Sequence, residues 1–418
     1  TLDAVPDITN NQVQINTDTG GLSPLEVEKL VTFPIETAMG GVPGRLEVRS
    51  LSQYGLSQVT VVFEDSTDTY FARQLVNERL NNVREQLPEG VEAPQLGPVS
   101  TGLGEVYMYS LESDKRSIMD LRTLQDWTIA PQLRTVAGVA EVNSADGSER
   151  QYQVTVDPQR LRGRNLTIAN VIEALEKNNR NTGGGVLERQ GERTLIRSVG
   201  LATKPEDLEK IVVASEGGIP VLVRDVATVG FGSPVVTGLS TRDGKHVVVG
   251  TVLMLKGANG RTVAQSAATR IKEIQAQFPE DVKLTAVYNR ADLVGETVGT
   301  VQKSLLEGGI LVVVILLALL GNVRGALIVA LAIPLSMLFA ITLMNRFGIS
   351  GNLLSLGAID FGLIVDGAVV MIENAVRRLA ERREHVGRTL TREEVRATVS
   401  ESSREVAKPT AFAVTIIT

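Results

Sequence analysis

The residues of this chain best suited to chemistry are three carboxylates, Asp360, Asp366 and Glu373, set in the stretch from Ala358 to Asn374, whose other residues are mostly apolar or small. The segment from Leu353 to Ile372 is long enough to cross a bilayer core, since about 20 helical residues at ~1.5 Å each cover ~30 Å of hydrocarbon. An ionised Asp near the centre of such a helix costs roughly 2.5–3.5 kcal/mol, and each Leu, Ile, Val or Phe returns only about 0.3–0.6. The acids must then turn towards other helices or a water-filled path, where they can be paired or protonated; carboxylates so placed usually mark ion or proton routes. At ~100° per residue, Asp366 and Glu373 lie only ~20° apart around the axis, with Asp360 ~120° round from Asp366. Gly362 and Gly367 would let neighbouring helices approach closely. The alternative reading is a structural acid locked in a salt bridge.

The elements that must position these acids divide the chain by composition. Of 418 residues, 43% are hydrophobic and 4% aromatic, averages that conceal a polar, Gly-rich stretch over 1–300 and an almost wholly apolar one over 305–375. Apolar runs at Gly308–Leu320, Gly325–Met344 and Leu353–Ile372 read as three spans, and Pro409–Thr418 opens a fourth. The loop 376–408 carries Arg377, Arg378, Arg382, Arg383, Arg388, Arg392, Arg396, Arg404 and Lys408, which assigns it to the cytoplasm and residues before about 300 to the opposite side. With no cysteine, disulfides, thiolate metal sites and cysteine nucleophiles are excluded together. A net charge of -6 without a basic, aromatic-rich patch gives no reason to propose nucleic acid.

The polar stretch alternates strands and helices. Gln12–Thr17 reads as a strand, and Ser23-Pro-Leu-Glu26 is a capping box opening a helix that Pro34 interrupts and Gly40-Gly41 ends. Strands at Leu46–Ser50 and Gln58–Phe63 follow, then a helix capped at Thr67-Asp68 with Phe71, Leu75, Leu80, Val83 and Leu87 on one face. That order is a ferredoxin-like split βαβ unit. A second copy starts with strand Val106–Leu111, helix Ser117–Val136 and strand Val139–Ser144, and resumes with strand Val247–Leu255, helix Arg261–Phe278 and strand Val282–Val287. Between its halves lies an insertion containing Gly183-Gly-Gly185, read as a tight turn because it lacks P-loop or dinucleotide-fold spacing.

Metal ligands are not evident. His246 and His385 stand alone, Glu105, Asp114 and Asp120 read as solvated acids before they read as a carboxylate site, and Met254, Met344 and Met371 are scattered packing residues.

The pattern Asp-Phe-Gly, three residues, Asp-Gly-Ala, four residues, Glu-Asn over 360–374 resembles the fourth transmembrane helix of heavy-metal efflux pumps of the resistance-nodulation-division superfamily, in its cobalt-zinc-cadmium branch. Drug-exporting relatives carry Asp-Asp where this chain has Asp366-Gly367, and copper and silver exporters lack an acid at the place of Asp360. The resemblance implies the N-terminal half of such a pump, with a first span before Thr1 and a second half after Thr418 holding the relay's basic partner and most of the metal ligands. It implies an α+β periplasmic porter domain of repeated ferredoxin-like βαβ units with an inserted docking subdomain, followed by an all-α transmembrane helix bundle. The division is 1–103 first porter subdomain, 104–150 and 242–300 the two halves of the second, 151–241 the docking insertion, 301–375 three transmembrane helices, 376–408 the cytoplasmic Arg-rich loop, and 409–418 the start of a further span.

Function follows from the same resemblance. It implies a secondary transporter, not an enzyme, that exports zinc, cobalt, cadmium or nickel against inward proton flow, with Asp360, Asp366 and Glu373 as the proton relay and no cofactor. It further implies a homotrimer in the inner membrane, in contact with membrane lipid, a periplasmic adaptor and an outer-membrane channel. Two rivals stay open: a multidrug exporter, disfavoured by Gly367 and the few aromatics, and a non-transporting assembly factor or sensor of similar plan.

Overall fold

The computed structural model describes residues 7–189, 191–234, 238–320, 323–347 and 361–417. The first α+β unit is built from β1 (Gln12–Asp18), α1 (Pro24–Val27), α2 (Phe33–Met39), β2 (Arg45–Gln53), β3 (Leu56–Phe63), α3 (Thr69–Val83) and β4 (Gln95–Leu96). Its four strands lie in the order β2-β3-β1-β4. β1 pairs antiparallel with β3, Ile15 opposite Val59, and alternates buried and half-exposed residues so that Val13 and Ile15 enter the core with Val59 and Val61. The helices close that face with Val31, Ile35 and Met39 from one side and Ala72, Val76, Leu80 and Val83 from the other.

Local chemistry explains the helix starts. The Ser23 N–H and hydroxyl both donate to the Glu26 carboxylate, at 2.9 and 2.7 Å, and the Asp68 carboxylate accepts from the Phe71 N–H at 2.8 Å. One reading from sequence changes here and another is sharpened. The face of α3 is centred on Ala72 and Val76, so Phe71 is 53% exposed. Pro34 interrupts the first helix as a widened turn and not as a break. A π-helical turn over Glu28–Thr32 links α1 to α2 and leaves Pro34 at the second position of α2, where its missing N–H is tolerated.

The second unit repeats this solution. β5 (Glu105–Glu112) leads to α4 (Ile118–Leu124), a π-helical turn over Gln125–Ile129, and α5 (Ala130–Arg134) with Pro131 again in its first turn, then to β6 (Val139–Ala145). The chain leaves through β7 (Gln151–Val156), α6 (Pro158–Gly163), α7 (Ile168–Asn178), β8 (Thr182–Arg189), β9 (Glu192–Ser198), α8 (Pro205–Glu209), β10 (Val212–Glu216), β11 (Ile219–Leu222), α9 (Val223–Val226) and β12 (Ala227–Gly232). It returns through β13 (Ser240–Arg242), β14 (Lys245–Met254), α10 (Gly260–Gln275) and β15 (Lys283–Asn289). β14 lies between β5 and β6, and β15 pairs with the far edge of β5. Their shared core holds Val106, Tyr109 and Leu111 with Val248 and Val252, covered by Leu121, Ile129 and Leu133 and by Ala264, Ala267, Ile271 and Ile274.

The Gly183–Gly185 stretch is not a turn. It lies inside β8, where a bulge between Gly183 and Gly185 uses the positive φ of Gly185 (82°), and a Cβ on Gly184 would come within 2.7 Å of Ile196. Every described residue of the β8–β9 hairpin is exposed.

After β15 come α11 (Arg290–Leu320), α12 (Val323–Arg346), α13 (Phe361–Val386) and α14 (Arg392–Ile417). Among the described residues no helix is long and apolar enough to cross a membrane. The expected all-α transmembrane helix bundle is therefore corrected to an α+β porter-like fold followed by these helices. Composition along three of the four helices works in the same direction: α11 opens with Arg290, Asp292, Glu296, Lys303 and Glu307, α13 carries Asp366, Glu373, Arg377 and Arg378, and α14 opens with Arg392, Glu393 and Glu394. Each such charge offsets the gain from several apolar residues.

Two predictions arise from these contacts. A Cβ at Gly250 of β14 would lie 2.2 Å from the Tyr109 ring, so Gly250→Ala should lower stability by about 1–3 kcal/mol through overpacking, read from denaturant unfolding of the second unit. At the corner between α13 and α14, Arg388 grips Glu394 through two N–H groups at 3.0 and 2.9 Å, and the Thr391 N–H donates to the same carboxylate at 2.8 Å. The Arg388 hydrogen bond, with the Thr391 N–H, holds Glu394 down at about 2. A depressed carboxylate stabilises the folded corner above its ordinary value near 4.5 and loses that contribution as pH falls towards 2. Amide exchange at Thr391–Val395, corrected for intrinsic rate, should accelerate across that window, and Glu394→Gln should abolish the step.

Candidate functional site

The sheet of the second unit carries an irregularity on both sides of one residue. Along β14, Val252 pairs with Tyr107 but Leu253 pairs with Glu105, so β5 bulges at Val106. On the other side Leu253 pairs with Glu141 and Met254 with Val139, so β6 bulges at Ala140. Val252 and Met254 turn into the core, leaving Leu253 and its two acidic neighbours on the opposite face. Glu105 is exposed and Glu141 half-exposed. Their Cα atoms are two strand spacings apart, roughly 10 Å, and paired bulges of this kind re-aim side chains. Carboxylates flanking an aliphatic residue supply hard oxygen ligands to a divalent cation. A cleft of about 340 Å³ opens beside Glu105, lined also by Met108, Tyr288 and Arg290.

Among the described residues no three His, Asp or Glu side chains are gathered closely enough to hold a metal ion. The acids considered together from sequence are kept apart. Glu105 opens β5, whereas Asp114 lies beyond its other end, paired with Lys245 at 2.7 Å. Asp120 accepts from the Ser117 hydroxyl at 2.7 Å and pairs with Arg150. Those bonds depress Asp114 and Asp120 below the ordinary carboxylate range, Lys245 acting on the first and the Ser117 hydroxyl on the second. His246 and His385 are exposed on β14 and α13, and Met254, Met344 and Met371 belong to three different helices and strands. Glu141 was missed from sequence because nothing in its neighbourhood announces that β14, about a hundred residues later, aligns it with Glu105.

Of the three relay candidates, Asp360 lies outside the described residues. Asp366 and Glu373 are both on α13, and Glu373 is exposed. Just beyond Glu373 the helix is clamped to α14. The buried Asn374 amide donates to the Ser402 carbonyl at 3.0 Å and to Glu405 at 3.4 Å, and accepts from Arg377 at 2.8 Å. Arg378 donates twice to Glu405, at 3.2 and 2.7 Å, and this bond is the main cause of the depressed Glu405 carboxyl. The clamp holds the middle of α13, one residue past Glu373 and eight past Asp366.

Residues 1–418 match the AcrB/AcrD/AcrF family. The chain is 53% identical over 424 residues to Protein HelA of Legionella pneumophila, and 49% identical over 425 residues to the cobalt-zinc-cadmium resistance protein CzcA of Cupriavidus metallidurans; each likeness takes in all of this chain and 40% of the relative. Among solved structures, it superposes on the crystal structure of a heavy metal efflux pump with a TM-score of 0.82 at 39% identity, covering 98% of this chain and 40% of that one. The chain thus spans about two-fifths of the length of these relatives.

Proposed function

Since the chain belongs to the AcrB/AcrD/AcrF family of efflux transporters, among its heavy-metal members, we propose that it forms the periplasmic porter region of an inner-membrane pump that exports divalent metal ions such as zinc, cobalt, cadmium or nickel. The observation that carries this reading is the likeness, over the whole chain, to proteins named for resistance to these metals. An aromatic content of 4% also argues against a multidrug pocket.

In this proposal residues 1–103 form one porter subdomain, 104–150 and 242–300 the two halves of a second, and 151–241 a docking insertion. The β8–β9 hairpin, whose described residues are all exposed, is available to a neighbouring copy and so supports a homotrimer. A periplasmic adaptor and an outer-membrane channel complete the export path. Asp360, Asp366 and Glu373 are proposed as the groups whose protonation drives the cycle. On α13, Asp366 and Glu373 are spaced seven residues apart, which puts them on one helical face. Proton uptake there would remove charge from that face and change how α13 packs, and the Asn374 clamp would pass the change to α14. No cofactor enters the scheme; the metal is cargo.

The test is transport by the full-length protein in proteoliposomes under an imposed pH gradient. Asp366→Asn keeps size and hydrogen bonding but cannot titrate, so efflux should fall to the level seen without a gradient while metal binding is retained. Asp360→Asn should impair coupling less and change which cations are carried, and Glu373→Gln should lie between the two. Export by Asp366→Asn at the unaltered rate would sink the relay.

A further inference from the structure

The two α+β units keep separate cores: one draws on Val13 to Val83 and the other on Val106 to Ala291, with no residue in common. Among the described residues, two side-chain hydrogen bonds that reach directly from one unit to the other share one side chain. Lys256, two residues past the end of β14, donates through Nζ to Asn11 Oδ1 at 2.8 Å and to Thr69 Oγ1 at 3.2 Å, both in the first unit. Its backbone N–H donates to the Val99 carbonyl at 3.0 Å, in the segment linking the units.

Asn11 is built to receive it. The residue is 5% exposed, and its amide nitrogen donates to the Thr67 carbonyl at 2.6 Å and to Glu64 at 3.3 Å, fixing the loop between β3 and α3. Thr69 Oγ1 also donates to Asn11 Oδ1, at 3.0 Å. The amide oxygen is thus aimed by three bonds within its own unit before Lys256 arrives. Around this point the link is pinned from both sides: the Ser100 hydroxyl donates to the Met254 carbonyl at 2.8 Å, and the Gly102 N–H to Thr9 Oγ1 at 3.1 Å. Among the described residues Lys256 makes no ion pair, so its bonds to neutral oxygens can break without stranding a buried carboxylate.

We infer that Lys256, seated on Asn11 and Thr69, is a releasable latch that sets the position of the second unit against the first. Polar interfaces between units permit relative motion, and a single ammonium on neutral acceptors is strong enough to define one arrangement and weak enough to leave it. The latch lies three residues along from Leu253, so its release moves the sheet end that carries Glu105 and Glu141. Lys256 is here a positioning residue. The structural inference does not rest on the transport reading.

The experiment uses the full-length protein. Lys256→Met keeps the aliphatic stem and removes the ammonium. Amide exchange over 97–104 should quicken about tenfold, while core amides at Val59–Phe63 and Tyr107–Leu111 stay protected. Spin labels on Thr37→Cys and Gln265→Cys, one in each unit of this cysteine-free chain, should show a broadened distance distribution. Thr69→Asp supplies the missing carboxylate and should slow exchange over 97–104, an effect that vanishes in the Lys256→Met background. Unchanged exchange and distances in Lys256→Met would overturn the latch. If that variant loses core protection, Thr69→Asp decides alone, and no slowing would overturn it equally. Loosening in Lys256→Met with transport by the full-length protein unchanged would leave the latch standing and count only against its coupling to the proposed function.

Discussion

The placement of β14 governs the rest of the molecule. This strand enters the second unit's sheet about a hundred residues after β6 and lies between its two partners, Val248–Leu253 pairing with β5 on one side and Val249–Met254 with β6 on the other. Its register decides which residues reach the core and which reach the open face. A slip of one residue would exchange Val252 for Leu253 and bury both carboxylates' neighbour in place of the core residue. Gly250 secures that register, since only a residue without a side chain leaves room for the Tyr109 ring. Burial raises the Tyr109 phenol above its ordinary range, so its hydroxyl stays protonated and donates to Gln125 at 2.8 Å.

Gln125 ties this sheet to the π-helical turn above it. The Gln125 amide donates to the Ser144 hydroxyl at 3.3 Å, and Ser144 donates to Asp126, which Arg122 holds at 2.6 Å. The first unit does the same with fewer atoms, Thr32 of its π turn lying 2.8 Å from the hydroxyls of both Ser52 and Ser57. In each unit a proline just past the turn accounts for the widened helix, and a buried polar side chain compensates by bonding to the sheet.

Much of this was legible in the sequence. Period-two alternation gave β1 and β3, and the capping residues Ser23, Asp68 and Ser117 gave the starts of α1, α3 and α4, because those signals act over a few residues. The failures share a cause: each depended on a distant partner. Phe71 was assigned to the core face because it is apolar, but the direction of α3 is set by Ala72 and Val76 meeting the sheet. Gly183–Gly185 reads as a turn until β9 is laid beside it. The apolar stretches at Gly308–Leu320 and Leu353–Ile372 share their helices α11 and α13 with charges, which a reading of the apolar runs alone does not weigh. At the candidate site, Glu105 was visible as an acid, whereas Glu141 gained meaning only from register.

The insertion between β6 and β14 bears on how such a chain can fold at all. Its first and last strands, β7 and β12, pair with each other from Gln151 opposite Gly232 to Val156 opposite Ala227. Ends held together in this way turn a detour of many residues into a short bridge. Closure entropy rises with the logarithm of the free length, at about 0.6 kcal/mol per doubling, so an insertion that has already zipped its own base presents β14 to the gap between β5 and β6 almost as a hairpin would. The long crossing in sequence is a short one in entropy, and the strand that fills the gap between β5 and β6 does not come from far away.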